Sequence, residues 1–259
     1  MIQTIWSGMH GMVSQQNNID SIANNISNIN SFGYKRTRVD FRETLYETMI
    51  SPTLNGPDIN LQRGAGVLVH QNIRDFAQGA SLDTGRALDF ALEGNGFFSV
   101  ENSGGEVQYT RNGAFYISME AGGNYLVDGR GRYLLDQNGG RIAVRGAPDK
   151  MSVALDGSLS FTMDDGTPVD SGIRLGIYTF DNRTGLTAVE DGNFVPSENS
   201  GPARLTGEAQ VIQYSLEASN VDYSYEVARL IRAQRAYQLA SRCVTTADQM
   251  AGIVNSIRN

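Results

Sequence analysis

The sequence predicts an α+β protein in which long terminal helices pair as a coiled coil and an all-β antiparallel domain is inserted between them in the chain. Apolar residues repeat every seven positions near the N-terminus and again near the C-terminus. Between these segments, short apolar or alternating runs are separated by glycine-containing turns. We therefore predict a terminal helical domain from residues 1–41 and 217–259, an extended connector at 42–66 and an all-β domain at 67–216.

The first helix is predicted within residues 2–35, with a length of about thirty residues and an end at Phe32-Gly33-Tyr34. Its glycines, asparagines and serines cost about 7 kcal/mol against an all-alanine helix, so it needs a partner over its apolar face in order to fold. Gly33 is expected to adopt the left-handed conformation and end the helix. Two heptad rows form the predicted contact face: Ile2, Met9, Gln16, Ala23 and Asn30 in one, and Ile5, Met12, Ile19 and Ile26 in the other.

An extended segment is predicted to follow this helix. Residues 34–41 alternate partly between polar and apolar side chains, as a strand does. Beyond them, Pro52, Pro57, Gly64 and Gly66 interrupt regular structure. Loops as long as 42–66 are usually functional or disordered. The connector is therefore either a segment that docks on a neighbouring molecule or a disordered linker.

The middle of the chain, residues 67–216, is predicted to be antiparallel sheet. Its apolar runs, such as residues 96–100 and 173–180, have the length and composition of strands. Pairs such as Asn112-Gly113 and Asp128-Gly129 supply the positive φ angles that tight hairpins require. The spacing of these turns predicts consecutive, antiparallel strands.

The last forty residues return to a helical pattern. Asn220 or Asp222 is placed to cap the helix, and Glu226 lies in its first turn. A further row of Cys243, Met250 and Ile257 widens the apolar face beyond what one partner helix needs, which predicts contacts with more than one neighbour. The two heptad rows are Tyr223, Leu230, Tyr237, Val244 and Ala251, and Ala233, Ala240, Ala247 and Val254.

Composition excludes several classes of protein. The formal net charge of −7 argues against nucleic-acid binding, which depends on lysine and arginine. A single cysteine, Cys243, excludes an intrachain disulfide framework. No apolar run is long enough to cross a membrane. Polar residues interrupt the N-terminal segment where a cleavable signal peptide would carry its apolar region, so we expect a different export route.

No motif in the sequence requires catalysis, a cofactor or a metal. His10 and His70 are the only histidines, and their separation fits no zinc-binding or Cys–His pattern. Gly94-Asn95-Gly96 precedes a predicted strand rather than opening a helix, so it reads as a turn and not as a nucleotide loop. We therefore predict no catalytic, cofactor-binding or metal-binding residues.

Three sets of motifs resemble those of the bacterial flagellar rod and hook axial proteins. Residues 21–28 read SIANNISN, and residues 32–36 read FGYKR. Residues 92–98 read LEGNGFF, and residues 109–113 read YTRNG. Residues 216–222 read LEASNVD, residues 234–237 read QRAY and residues 247–250 read ADQM. The resemblance covers nearly the whole chain.

The resemblance implies a structural subunit of the flagellar basal-body rod, without catalytic activity. Such a subunit self-assembles into a helical tube that transmits torque across the cell envelope and serves as an export channel. The implied partners are other copies of the chain, other rod and hook proteins, the flagellar type III export apparatus and the surrounding ring proteins. The implied location is the extracytoplasmic part of the basal body, and nucleic-acid binding and membrane insertion are not implied.

The resemblance also implies an assembly interface. Its candidate residues could instead serve packing and capping within one chain. They are Asn24, Asn25, Asn28, Gly33, Tyr34, Lys35, Gln234, Arg235, Tyr237 and Ala240.

Two alternatives stay open. Within the family, the chain length and the connector favour a distal-rod protein, and a proximal-rod paralogue is the second reading. Outside the family, the alternative is a secreted β-domain adhesin or an envelope hydrolase with coiled-coil ends. A free coiled coil should carry Glu and Lys beside its contact face. In residues 14–31, however, Asp20 is the only charged residue. This favours the rod family.

Overall fold

A computed structural model describes residues 2–48, 62–120, 123–144, 151–162 and 168–258. These residues form two α-helices and 21 β-strands, divided between two compact units. The helical unit comprises Met1–Ser27, Thr37–Arg74 and Asp222–Asn259, and the β unit comprises Asn28–Arg36 and Asp75–Val221. The predicted arrangement of terminal helices and an antiparallel β-rich middle is confirmed.

The helical unit contains α1 (Ile2–Ser27) and α2 (Tyr223–Arg258). Asp222 caps α2, because its Oδ1 accepts a hydrogen bond of 3.1 Å from the backbone N–H of Tyr225. The first helix is shorter than predicted. Asn28 and Ser31 bond to each other through backbone and side chain and form a turn, which competes with helical bonding. Gly33 has the predicted positive φ, +68°, but it lies beyond the end of α1 and therefore does not end the helix as predicted.

The two helices run antiparallel and approach each other closely at glycine. A Cβ atom on Gly8 would lie 2.7 Å from Cγ2 of Val244, and one on Gly11 would lie 3.6 Å from Cβ of Ala240. On α2, Ala233 and Ala247 of the predicted alanine row are buried, whereas Val254 of the same row and Tyr223 of the other row are exposed.

On α1, one predicted heptad row faces outward instead. Met9, Gln16 and Ala23 are exposed, whereas Ser14, Ile22 and Asn25 are buried. The contact face therefore includes glycine and polar residues. A search for apolar heptads misses them, although their small size allows the backbones to approach.

A β-hairpin completes the helical unit. Its strands are β1 (Thr37–Glu43), β2 (Tyr46–Thr48), β3 (Gln62–Gly64) and β4 (Val67–Arg74). β1 pairs with β4 and β2 with β3, both antiparallel. Ser14 Oγ of α1 donates to the carbonyl of Val67 at 3.2 Å, so the hairpin packs on α1.

This hairpin contains the described residues at both ends of the predicted connector. Both ends of residues 42–66 lie in paired strands, and residues 67–74 belong to the helical unit rather than to the β unit. The central part of the connector, residues 49–61, lies outside the described residues.

The β unit is built on one large antiparallel sheet. The sheet has ten strands, with main order β12-β10-β11-β7-β8-β18-β17, and β9, β16 and β19 extend it. A three-stranded sheet, β13-β14-β15, and the pairs β6–β20 and β5–β21 complete the unit. The strands are β5 Ser81–Asp83, β6 Phe90–Glu93, β7 Phe97–Glu101, β8 Val107–Thr110, β9 Tyr116–Glu120, β10 Gly123–Val127, β11 Tyr133–Leu134, β12 Ala143–Val144, β13 Met151–Val153, β14 Ser158–Thr162, β15 Pro168–Arg174, β16 Ile177–Thr179, β17 Thr187–Ala188, β18 Phe194–Val195, β19 Arg204–Leu205, β20 Gln210–Gln213 and β21 Ser215–Glu217.

Two apolar clusters form the core of the β unit. Phe90, Phe98 and Phe115 are fully buried in the larger one. The smaller one consists of Phe97, Tyr109, Phe180 and Phe194, whose rings meet edge to face. Gly113 is required beside the larger cluster, because a Cβ at this position would overlap the carbonyl of Phe90. The β unit thus has an apolar core of its own, made of these two clusters.

Candidate functional site

The described residues contain neither a metal-type cluster nor a membrane-spanning helix. No group of three or more His, Cys, Asp or Glu side chains in this part of the chain is arranged to hold a metal ion. Neither described helix is long and apolar enough to cross a membrane. The candidate functional features are two buried polar networks and the exposed faces of the helices.

The first network, the Glu217 cluster, consists of the buried charges Lys35, Arg111 and Glu217 in the β unit. Lys35 Nζ lies 2.6 Å from Oε1 of Glu217, and Arg111 Nη1 lies 3.1 Å from Oε2. The backbone N–H of Gly79 also donates to Oε1, at 2.8 Å. All three charged side chains are at most 2% exposed. One buried carboxylate therefore balances two buried cations.

The backbone positions each member of the Glu217 cluster. The N–H of Gly33 donates to the carbonyl of Glu217 at 2.8 Å, which joins the turn before Lys35 to the end of β21. Lys35 Nζ donates to the carbonyl of Ala77, and Arg111 donates to the carbonyl of Gly94 at 2.6 Å. Burial lowers the pKa of Lys35 and of Arg111, and the charge of Glu217 opposes this change.

Asn220 extends this connection by one further set of hydrogen bonds. Its Oδ1 accepts from the backbone N–H of Arg36 at 2.7 Å, and its Nδ2 donates to the carbonyl of Asp75 at 2.8 Å. Arg36 also forms an ion pair of 2.8 Å with Asp75. Residues 33–36 and 217–220, which lie where the chain enters and leaves the β unit, are therefore held together by hydrogen bonds and charge.

The second network fixes the register of the two helices. Asn25 Nδ2 donates to the carbonyl of Thr37 at 2.8 Å and to Oε2 of Glu226 at 3.4 Å, and Asn25 and Glu226 are fully buried. Arg229 pairs with Glu226 at 3.2 Å and reaches Oδ1 of Asn18 at 3.4 Å. A shift of α1 along α2 would break the hydrogen bonds of Asn25 to Glu226 and of Arg229 to Asn18, and the loss of a hydrogen bond at a buried site is costly.

Each helix also carries an exposed face with large apolar side chains. The α1 outer face comprises Trp6, Met9, Val13 and Asp20. Its three apolar side chains are 37–56% exposed. The α2 outer face comprises Ile231, Arg232, Arg235, Leu239, Arg242, Cys243, Met250, Ile253 and Ile257.

The structure distributes the ten predicted interface residues over three environments. Asn24, Gln234 and Arg235 are exposed on the helices. Asn25, Gly33 and Lys35 are buried, each with the intrachain hydrogen bonds given above. The half-buried residues are Asn28, Tyr34, Tyr237 and Ala240.

Sequence reasoning did not select four residues of the buried networks as site candidates: Arg111, Glu217, Glu226 and Arg229. Arg111 lies in the motif YTRNG and Glu217 in the motif LEASNVD. The residues that precede them in the chain, Thr110 and Leu216, are buried. A charged residue inside such a motif was the available signal, because burial of a charge requires a specific partner.

Three family models match the chain in order. The model described as flagella basal body rod protein matches residues 5–35. The model of the flagellar hook protein FlgE/F/G D1 domain matches residues 91–161. The model of the flagellar basal body rod FlgEFG protein C-terminal matches residues 212–257. The matches include most of α1, most of α2 and the three charged residues of the Glu217 cluster.

Relatives match over nearly the full length. The flagellar basal-body rod protein FlgG of Bacillus subtilis is 33% identical, with 96% of this chain and 97% of the relative covered. FlgG of Agrobacterium fabrum is 35% identical, with 95% of each covered. The flagellar hook-basal body complex protein FlhP of Bacillus subtilis is 30% identical, with both chains fully covered. The chain therefore belongs to the flagellar basal-body rod protein family.

Proposed function

We propose that the chain is a structural subunit of the flagellar basal-body rod and, within the rod, of its distal part. The observation that carries this proposal is the full-length similarity to relatives named as the basal-body rod protein FlgG. The subunit assembles with copies of itself into a helical tube that transmits torque and encloses an export channel. It acts as a structural component and not as an enzyme, in keeping with the names of these relatives.

The proposed location is the extracytoplasmic part of the basal body. The partners are other rod and hook proteins along the axis, the surrounding ring proteins and the flagellar export apparatus. In the rod, α1 and α2 pair as a coiled coil. Their antiparallel contact and the glycine and alanine residues along it support this pairing.

The predicted interface residues take two roles in this proposal. Exposed Asn24, Gln234 and Arg235 contact neighbouring subunits directly. Buried Asn25, Gly33 and Lys35 act inside the subunit, where they hold the helices and the chain entry in the geometry that assembly requires. The remaining four residues are half-buried, so each contacts its own chain and also presents surface to a neighbouring subunit.

Purified full-length protein tests self-assembly directly. We expect that raising the concentration above a threshold produces elongated particles of constant diameter in electron micrographs, together with sedimenting material. An open helical array has such a threshold because each added subunit gains contacts that an isolated pair lacks. A chain that stays monomeric at every concentration would refute self-assembly.

Ala240→Glu is expected to prevent assembly while leaving the β unit folded. Ala240 is half-buried where Gly11 approaches it, so a carboxylate placed there loses hydration without gaining a partner. Gln238→Glu adds the same charge at an exposed site on the same helix and is the matched control. Particles of normal length from Ala240→Glu would show that the helix contact is not needed for assembly.

A further inference from the structure

We propose that residues 209–220 form a closing strap for the β unit, and that the unit folds only when this strap docks. A chain that emerges N-terminus first therefore keeps its β unit unfolded until residue 220 is available. The closing strap contains β20, β21 and the residues that follow β21 as far as Asn220. It is a property of the β unit itself and does not depend on the place of the chain in the rod.

The closing strap pairs with the first two strands of the β unit. Strand β21 pairs with β5, and β20 pairs with β6 from Gln210–Glu93 to Gln213–Phe90, both antiparallel. Among the described residues, β5 and β6 form no other strand ladder. Most of β6 is buried, so its backbone groups have little access to water and need a partner within the protein. The strands that begin the β unit therefore depend on the strands that end it.

Gln213 joins the closing strap to two further parts of the β unit. Its Oε1 accepts a hydrogen bond of 3.0 Å from the backbone N–H of Val153. Its Nε2 donates to the carbonyls of Met151 at 2.9 Å and of Ala87 at 2.7 Å. Met151 and Val153 are the buried ends of β13, which lies at the edge of its three-stranded sheet. A side chain of the closing strap thus pairs with the backbone of β13 in place of a neighbouring strand.

The closing strap also completes the larger apolar cluster. Ala209 and Val211 are 3% and 1% exposed and belong to this cluster together with residues of β6, β7, β13 and β14. A Cβ on Gly96 would lie 3.0 Å from Cβ of Ala209, and one on Gly157 would lie 3.6 Å from Cγ2 of Val211. Removing the closing strap would expose these apolar surfaces to water, which is unfavourable.

The carboxylate of the Glu217 cluster is part of the closing strap. Lys35 lies 182 positions from Glu217 in the chain, and Arg111 lies 106 positions from it. Burial of either cation without its anion is costly. The site around Lys35 and Arg111 can therefore lose its water only after Glu217 has arrived. Asn220, at the end of the closing strap, then bonds to the backbone of Arg36.

The contacts that form before the closing strap docks are local and weak. Strands β7 and β8 pair over four residues, and β9 and β10 pair over five. A single two-stranded hairpin is at best marginally stable in water. The long-range contacts of the closing strap must overcome a larger loss of chain entropy before they stabilise the unit. We therefore expect the β unit to fold in one step that includes the closing strap.

Refolding of the native full chain from urea tests this order. Pulsed hydrogen exchange should show that peptides from β7, β10 and β14 become protected with the same rate constant as peptides from the closing strap. Protection of β7 and β10 in an earlier phase, while the closing strap still exchanges freely, would overturn the proposal. The measurement needs no variant, so it does not depend on the folding of an altered chain.

A matched pair of substitutions in β20 tests the same point at equilibrium. Gln213→Leu removes the hydrogen bonds to Val153 and Met151 and leaves buried backbone groups unpaired. Hydrogen exchange of β7, β10 and β14 in the native state should become at least about tenfold faster, because opening of the closing strap opens the whole unit. Gln210→Leu alters an exposed residue of the same strand and should change these rates by no more than about twofold.

Two results from these variants would contradict the closing strap. Faster exchange of Gln213→Leu that is confined to β5, β6 and the closing strap itself would show that the strap opens while the rest of the β unit stays folded. Exchange in Gln213→Leu that equals exchange in Gln210→Leu throughout the unit would show that the hydrogen bonds of Gln213 do not hold the strap.

Discussion

Glu217→Gln is expected to lower the free energy of unfolding of the β unit by about 3–5 kcal/mol. Glu217 is the one carboxylate that Lys35 and Arg111 share, at 2.6 and 3.1 Å. A neutral amide of the same shape leaves two buried cations without an anion and places an NH₂ group against one of these donors. Since the cations cannot reach solvent from this site, the loss is not recovered by hydration.

Two further variants show whether charge balance is the cause. Lys35→Met removes one of the two cations and leaves Glu217 paired with Arg111, so it should destabilise the unit less than Glu217→Gln does. Asp181→Asn removes one partner of an exposed ion pair, Arg204 with Asp181 at 3.0 Å, and should cause no measurable change.

The measurement is urea unfolding of the full chain, followed by far-UV circular dichroism and by hydrogen exchange of peptides from β6 and β21. An equal loss from Lys35→Met and Glu217→Gln would show that packing, rather than charge balance, determines the stability at this site.

Local rules predicted the parts of the fold that depend on nearby residues. Asp222 caps α2 and Gly33 adopts a positive φ. In both cases the structure depends on the dihedral preference or hydrogen bonding of a few adjacent residues. Such information is contained in a short stretch of sequence. The expected tight turns at Asn112-Gly113 and Asp128-Gly129 were wrong, because neither glycine has a positive φ and the strands before and after Asn112-Gly113 do not pair with each other.

The features that were not predicted depend on partners far away in the chain. Lys35 and Glu217 are separated by 182 positions, so sequence alone does not indicate that either charge is buried. Strand β1 exposes most of its residues, and its partner β4 begins beyond the predicted connector, so neither strand has the clear alternation that identifies a hairpin. The predicted row through Met9 was incorrect because glycine and asparagine, rather than apolar residues, form much of the actual contact.

The sequence identified the motifs that contain the candidate interface residues, but not which of these residues are buried or which of them contact each other. Gly33 and Lys35 come from one motif and meet Glu217 of another, which the resemblance did not indicate. Arg235 was selected through its motif and lies on the exposed face, next to residues that were not selected, such as Arg232. A motif identifies residues that matter to a family, whereas their burial decides whether they act within the subunit or between subunits.

Gly8→Leu is expected to separate the N-terminal half of α1 from α2 and to abolish assembly. A Cβ on Gly8 would already lie 2.7 Å from Cγ2 of Val244 and 3.4 Å from the carbonyl oxygen of Ala240. Leucine adds three more carbon atoms at the same point. Enlarging a residue in a well-packed contact typically costs about 1–3 kcal/mol, and α1 contains too many glycines and asparagines to stay helical without its partner.

Gly252→Leu is the matched control, because Gly252 is an exposed glycine of α2 with nothing within 4 Å of its would-be Cβ. That substitution should leave assembly intact and stabilise the helix by up to about 1 kcal/mol, since leucine has the higher helix propensity. Gly11→Ala, whose Cβ would make an ordinary contact of 3.6 Å with Ala240, should also be tolerated. Hydrogen exchange of peptides from α1 reports the separation directly. If protection of these peptides in Gly8→Leu equals that in the native chain, the helices do not depend on close approach at this glycine.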